Sequence, residues 1–368
     1  GSSSLRALLA PVLPVRRGAM GQTEYEAALQ RFEGLKLRFR GQLSEQVASG
    51  TPGAIAPSCL RTMKAPELGK VYCVSWSSDS TLVCAAHQEG AVSIKSANNG
   101  GHKNFPIIFP RREVKVVPMA CCFLNEDQSI AIGGLDNVVT IYDRSQITCD
   151  KRKVLVGHDG YVASLKALGD KLLSSSGDAT IRLWDPATGQ EVRCFSEHEA
   201  DCSGVDCLAA NPNVFVSSSV DTTSRVWDAR TGKATRLFKA KYGVNCCSLF
   251  PSGTMVAIGC DSASFEFWDI GSYCQIGRGK VKRGRCEAIA FSKSGALTFL
   301  GWDAPDSGFL MCVDTFFANQ QVQAENAHTE TCSCIEVAPD GSAMVTGGFD
   351  ALVKLWTAPP GAESGRQR

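Results

Sequence analysis

The chain has 368 residues, 44% of them hydrophobic, with 38 basic side chains against 37 acidic ones. That length supports a large core, and a net charge of +1 supplies no global field to attract nucleic acid or an anionic membrane. No run of 18 apolar residues occurs, so no membrane-spanning helix is expected, and the 17 scattered cysteines, with neighbours such as Cys121-Cys122, read as small buried hydrophobes rather than a disulfide framework.

Residues 1–21 carry Arg6, Arg16 and Arg17, no acidic residue before Met20, and apolar stretches interrupted by Pro11 and Pro14. They read as a disordered leader and not as a secretory signal. Residues 22–49 differ: Tyr25, Leu29, Phe32, Phe39 and Leu43 recur at spacings of 4, 3, 7 and 4, an a/d seam that ends at Gly50, Pro52 and Gly53. One amphipathic helix of this kind wants a partner helix, or else the flank of the domain that follows. Gly34 and Gly41 cost it roughly 1 kcal/mol each, so it is frayed when alone.

From residue 58 to 357 the chain repeats. Units close at Tyr142-Asp143, Trp184-Asp185, Trp227-Asp228, Trp268-Asp269, Val313-Asp314 and Trp356-Thr357, at intervals of 42, 43, 41, 45 and 43 residues. A worn copy at Lys95-Ser96 lacks the Trp. This is the period of a four-stranded propeller blade, repeated seven times. The third unit, with strand-forming runs at Tyr161–Leu165, Lys171–Ser176 and Thr180–Trp184 around a Gly177-Asp178 turn, typifies the rest. The expectation is an all-β, seven-bladed propeller preceded by one coiled-coil helix. Because the last unit ends after three strands, its outer strand should come from Cys59–Lys64, closing the ring and removing a free sheet edge.

A turn Asp stands seven residues before several closing dipeptides (Asp136, Asp178, Asp221, Asp350), and a His stands about twenty residues before three of those (His158, His198, His328). This resembles the WD-repeat pattern, in which His, turn Asp and strand Trp (here Trp184, Trp227 and Trp356) share one buried hydrogen-bond network. In the fifth unit both partners are absent together: Lys241 and Ser262 hold the positions.

Catalytic chemistry is not visible. No GxxxxGK[ST] loop occurs, and Cys332-x-Cys334 has no second pair at zinc spacing, so neither cofactor nor metal is expected. His87 and His102 have no carboxylate or nucleophile neighbours in sequence. The basic run Lys280–Arg285 reads as a solvated loop, or else as a phospholipid or phosphoprotein contact. Residues 358–368 form a disordered tail without a prenylation motif, and Met20-Gly21 is not followed by the Ser or Thr that favours myristoylation.

Taken with the helix and the seven-unit length, the strings Gly69–Tyr72 before Trp76, Gly133–Asn137, Gly157–Tyr161, Ser175–Asp178, Phe291–Gly295 and Gly347–Asp350 make the chain resemble the beta subunits of heterotrimeric G proteins, from about residue 22 to 357. The resemblance implies a non-catalytic transducer, an obligate dimer with a gamma subunit through Tyr25, Leu29, Phe32, Phe39 and Leu43. It also implies exclusive binding of a GDP-bound alpha subunit or of effectors on one face, under receptor control. The family's alpha- and effector-contacting positions fall at Lys70, Tyr72, Met119, Leu135, Asn137, Tyr161, Asp201, Asn245, Asp261, Asp303 and Phe349. Asp261 and Asp303 precede turn positions held by Ser262 and Ala304 and lack the buried structural role of Asp178.

The chain departs from the family pattern at Val117 and Phe349, where Trp is expected, at Gly243 for Asp and at Asp159 for Thr. Membrane location, at the cytoplasmic face of the plasma membrane, would be indirect through lipidated partners, with no nucleic acid involved. The alternative is a WD-repeat scaffold of the activated-kinase-receptor type, a stable lone propeller with no need of the helix.

Overall fold

The computed structural model describes residues 57–97, 102–103, 116–144, 152–208, 210–281, 284–304, 307–316 and 321–357, together with Gln30 on a helix. The leader, the tail and the five seam residues of the N-terminal helix lie outside the described residues. The described chain forms seven four-stranded antiparallel sheets, the seven-bladed propeller expected from the repeat.

Blade 3 shows the construction. Strands Val162–Leu168, Lys171–Ser176, Ile181–Asp185 and Gln190–Phe195 follow one another outward from the axis. The second strand is buried almost throughout, as Leu172, Leu173 and three serines, while the outermost is mostly exposed. Such a gradient is what a sheet packed radially between two others requires. The innermost strands of the seven blades are Val71–Trp76, Pro118–Leu124, Val162–Leu168, Cys202–Cys207, Val244–Leu249, Arg285–Phe291 and Cys332–Val337. They surround a central channel of about 580 Å³.

The core lies between blades. Trp184 of blade 3 shares one buried cluster with Ala120, Ala131 and Leu155 of blade 2, and Trp227 of blade 4 packs on Phe195 of blade 3, ring centroids 5.5 Å apart. Trp184, Trp227, Trp302 and Trp356 are all fully buried, and truncating a side chain of this kind costs about 3–5 kcal/mol. No disulfide joins any of the described cysteines; those on inner strands fill space between neighbours.

Ring closure follows the expectation. Cys59–Lys64 pairs antiparallel with Leu352–Thr357, from Cys59 opposite Trp356 to Lys64 opposite Leu352. Thr357 N donates to Ser58 O at 2.9 Å. One blade thus holds both ends of the propeller.

Candidate partner-binding mouth and the networks behind it

Every innermost strand carries a β-bulge near its start, where one residue has no opposite number on the second strand. The extra residues are Tyr72, Met119, Ala163, Ser203, Asn245, Glu287 and Ser333, and all seven line one end of the channel. A bulge re-aims its side chain, and here seven equivalent bulges turn one side chain each toward the mouth. Tyr72, Met119 and Asn245 were expected partner contacts. Glu287 was not, because a bulge leaves no mark in an alternating strand pattern.

The remaining expected positions lie at this same end, where inner strands begin and second strands finish. Lys70 precedes the first strand of blade 1, and Tyr161 and Asp201 precede those of blades 3 and 4. Leu135, Asp261 and Phe349 follow second strands, Asn137 sits in a turn, and Asp303 is within Leu297–Ala304.

Several of them touch. Lys70 Nζ stands 4.7 Å from the centre of the Phe349 ring, and Tyr72 meets that ring edge-on at 5.5 Å. The cation–π contact is worth about 0.5–1 kcal/mol at an exposed site, and it holds the lysine at the mouth where a Trp was expected. Tyr161 OH donates to Asp201 Oδ2 at 3.0 Å. Its ring passes so close to Gly177 that an added Cβ would lie 2.3 Å from it. Asn137 Nδ2 donates to Asp159 O at 3.2 Å. Met119, Leu135 and Asn245 are not drawn into these groups, and Leu135 is 54% exposed. Val220 and Tyr242, both exposed, also stand at this end. Gly243, beside Val220, has room for a Cβ, its nearest neighbour being Val220 O at 3.5 Å.

The basic run is corrected. Arg285 does not belong to a solvated loop: it opens the inner strand of blade 6, opposite Asp303. Its Nη2 bonds Asp303 Oδ2 at 3.0 Å, and its Nε lies 3.3 Å from Glu287 and 3.8 Å from Asp261. Asp303 also accepts from Thr331 Oγ1 at 2.8 Å, so it has a structural role that the turn spacing did not reveal. Burial pushes the Glu287 carboxyl up, against the pull of Arg285.

Behind the mouth, blade 3 holds a directional chain of hydrogen bonds. Trp184 Nε1 donates to Ser174 Oγ (2.8 Å), Ser174 bonds His158 Nε2 (2.7 Å), and His158 Nδ1 bonds Asp178 Oδ2 (2.8 Å). Asp178 also takes Thr180 N–H and O–H and the Asp159 N–H. Since Asp178 accepts only, a neutral His158 is protonated on Nδ1 and Ser174 donates to Nε2, which uses every donor once. Blades 4 and 7 repeat the chain as Trp227–Ser217–His198–Asp221 and Trp356–Thr346–His328–Asp350. Burial alone would raise Asp221, but its bonds from Thr223 and His198 bring it down to about 2. The hydroxyl at the centre of each chain was missed, although it stands ten residues before the Trp in all three blades.

Of the other four blades, two show different wiring. In blade 5 Ile258 stands in the hydroxyl position, and Trp268 Nε1 turns to Glu266 Oε2 at 3.2 Å. In blade 1 Lys95 occupies the Trp position, 1% exposed, and its ammonium has no hydrogen-bond partner among the described residues. Beside it, His87 bonds Ser93 Oγ at 2.8 Å in full burial.

The comparisons agree with this architecture. The family model "WD domain, G-beta repeat" matches residues 57–94, 149–185, 189–228 and 319–357. Proteins described as "Guanine nucleotide-binding protein subunit beta" from Arabidopsis thaliana, Nicotiana tabacum and Zea mays are 33%, 34% and 34% identical. The matches cover 83%, 83% and 81% of this chain and 84%, 86% and 83% of theirs. The chain belongs to the G-protein beta subunit family. As a G-beta family member it is a divergent one.

Proposed function

We propose that this chain is the non-catalytic beta subunit of a heterotrimeric G protein. It pairs with a helical gamma subunit through residues 22–49, holds a GDP-bound alpha subunit at the mouth lined by Tyr72, Met119 and Asn245, and engages effectors with the same mouth once alpha leaves after receptor activation. The observation that carries the reading is family membership along more than four fifths of the chain. The convergence of the eleven expected contacts on one end of a rigid ring supports it: blades supply geometry and loops supply contacts. The aromatic pair Tyr72–Phe349 and the methionine are suited to anchor a partner, while the charged groups set on-rate and specificity. Lipidated gamma and alpha partners would hold the complex at the cytoplasmic face of the plasma membrane.

The test is a pull-down with this chain as bait, in GDP and in GDP with aluminium fluoride. A small helical protein recovered in both and an alpha subunit recovered in GDP alone is the expected result. Recovery of neither, from a soluble monomeric propeller, would replace the reading with the scaffold alternative. Phe32→Ala with Phe39→Ala should abolish gamma pairing.

A further inference from the structure

Blade 6 departs from the other blades at the mouth in one chemical respect: its bulge residue is a carboxylate. Glu287 occupies the position that holds Tyr72 in blade 1, Met119 in blade 2 and Asn245 in blade 5. It lines the channel end, and among the described residues its Oε1 has no hydrogen bond, only the ion pair with Arg285 at 3.3 Å. Asp261 and Asp303 flank it, so among the described residues three carboxylates share a single guanidinium.

Arg285 is held there by geometry. Gly284 precedes it at φ +102, and a Cβ at that position would lie 2.0 Å from Asp303 O; only glycine lets the strand start close enough to set Arg285 opposite Asp303. One of its contacts is a good hydrogen bond, to Asp303 at 3.0 Å, while the two others are longer. Its side chain is 55% exposed, and so is free to leave.

We infer that Glu287 is a further partner contact and that Arg285 is its built-in competitor, so that this sector of the mouth selects a partner bringing a lysine or arginine and Arg285 sets how strongly. The inference rests on the mouth being the partner face. An arriving cation shares or takes the carboxylates that Arg285 occupies. While Arg285 stays, it lowers the attraction, because one of three negative charges is already neutralised. A rim charge of this type acts chiefly on association rate and salt dependence. The arrangement therefore gives specificity by opposing partners without a matching cation, which cannot recover the desolvation of Glu287.

The test uses the full chain with its gamma partner and a GDP-bound G-protein alpha subunit as probe, with binding followed by surface resonance at 50 and 500 mM salt. Arg285→Gln should raise the association rate about 3- to 10-fold at 50 mM and leave it nearly unchanged at 500 mM. Arg285→Lys should stay near the parent, and Glu287→Gln in the Arg285→Gln background should take most of the gain away. An association rate that is unchanged or slower in Arg285→Gln overturns the inference while leaving the partner reading intact. Failure of the parent and all variants to bind at either salt overturns both. Matching melting curves for the variants confirm that the ring is intact in each comparison.

Discussion

Lys166 of blade 3 and Glu336 of blade 7, 170 residues apart in sequence, form an ion pair of 2.5 Å across the central channel. The second carboxylate oxygen of Glu336 accepts the backbone N–H of Trp76 in blade 1 at 2.7 Å. Asp206 of blade 4, which accepts from Ser248 and Leu249 of blade 5, adds a second negative charge near the lysine. The channel is thus tied from wall to wall by charge.

Removing one partner leaves the other uncompensated in a channel that is only partly open to solvent. Lys166→Met and Glu336→Gln should each lower stability by about 1–3 kcal/mol, and the double variant should lose less than their sum. Urea unfolding of the four proteins in a double-mutant cycle measures this; strict additivity would mean the pair contributes no coupling.

Ser174→Ala and Ser217→Ala each delete the hydroxyl that links Trp to His. An unsatisfied indole N–H and imidazole nitrogen should cost about 1–3 kcal/mol per blade. Ile258→Ser in blade 5, where Trp268 already has Glu266, should gain nothing. Thermal and urea melts check both halves of this expectation.

Acid should weaken the ring in two stages. Burial, reinforced by Lys95, lowers His87 from 6.5 to about 4, and burial lowers His198 although Asp221 opposes it. A histidine whose folded pKa is depressed contributes stability that is complete above 6.5 and lost as pH falls toward the folded value, with a slope of about 1.4 kcal/mol per pH unit for one full proton. The second stage comes below pH 4, as Asp221 approaches about 2. In His87→Gln the slope between pH 6.5 and 4 should be reduced, as read from urea midpoints across that range. An unaltered slope would dismiss His87 as the source.

Lys95→Met should stabilise the protein by about 2–3 kcal/mol at pH 7. Burial lowers the Lys95 ammonium from 10.5 to about 8, against the attraction of Glu67. The unfolded chain therefore holds its proton more tightly, and the parent is penalised in full below pH 8. The penalty fades between pH 8 and 10.5, so the advantage of the methionine should shrink at pH 10. Denaturation of both proteins at pH 7 and 10 gives the comparison.

What could be read from the sequence was whatever recurs at a fixed spacing. The Trp-Asp dipeptides, the turn aspartates and the histidines repeat with the blade, and even Lys95 was locatable as the worn copy of a Trp. Ser174, Ser217 and Thr346 repeat equally well, but a serine or threonine in a strand has no distinctive chemistry, so only comparison at the ten-residue offset would have exposed them. Arg285 was hidden for another reason: it closes a basic run in the sequence, and two of the carboxylates it meets, Asp261 and Asp303, come from elsewhere in the chain. Glu287 depended on a bulge, and Lys166–Glu336 on the ring being closed. These are consequences of tertiary geometry, and no local pattern carries them.

The pairing of Cys59–Lys64 with Leu352–Thr357 also sets a schedule for synthesis. Ser58 and Thr357 are 299 residues apart, so at about 5–20 residues per second the first strand waits roughly 15–60 s for the last. Blades 1 to 6 can form as they emerge, each leaning on the one before, but blade 7 is assembled only once Leu352–Thr357 has been made. During that interval the arc has two raw sides, and the cell must shield them or accept that nascent arcs will find each other first.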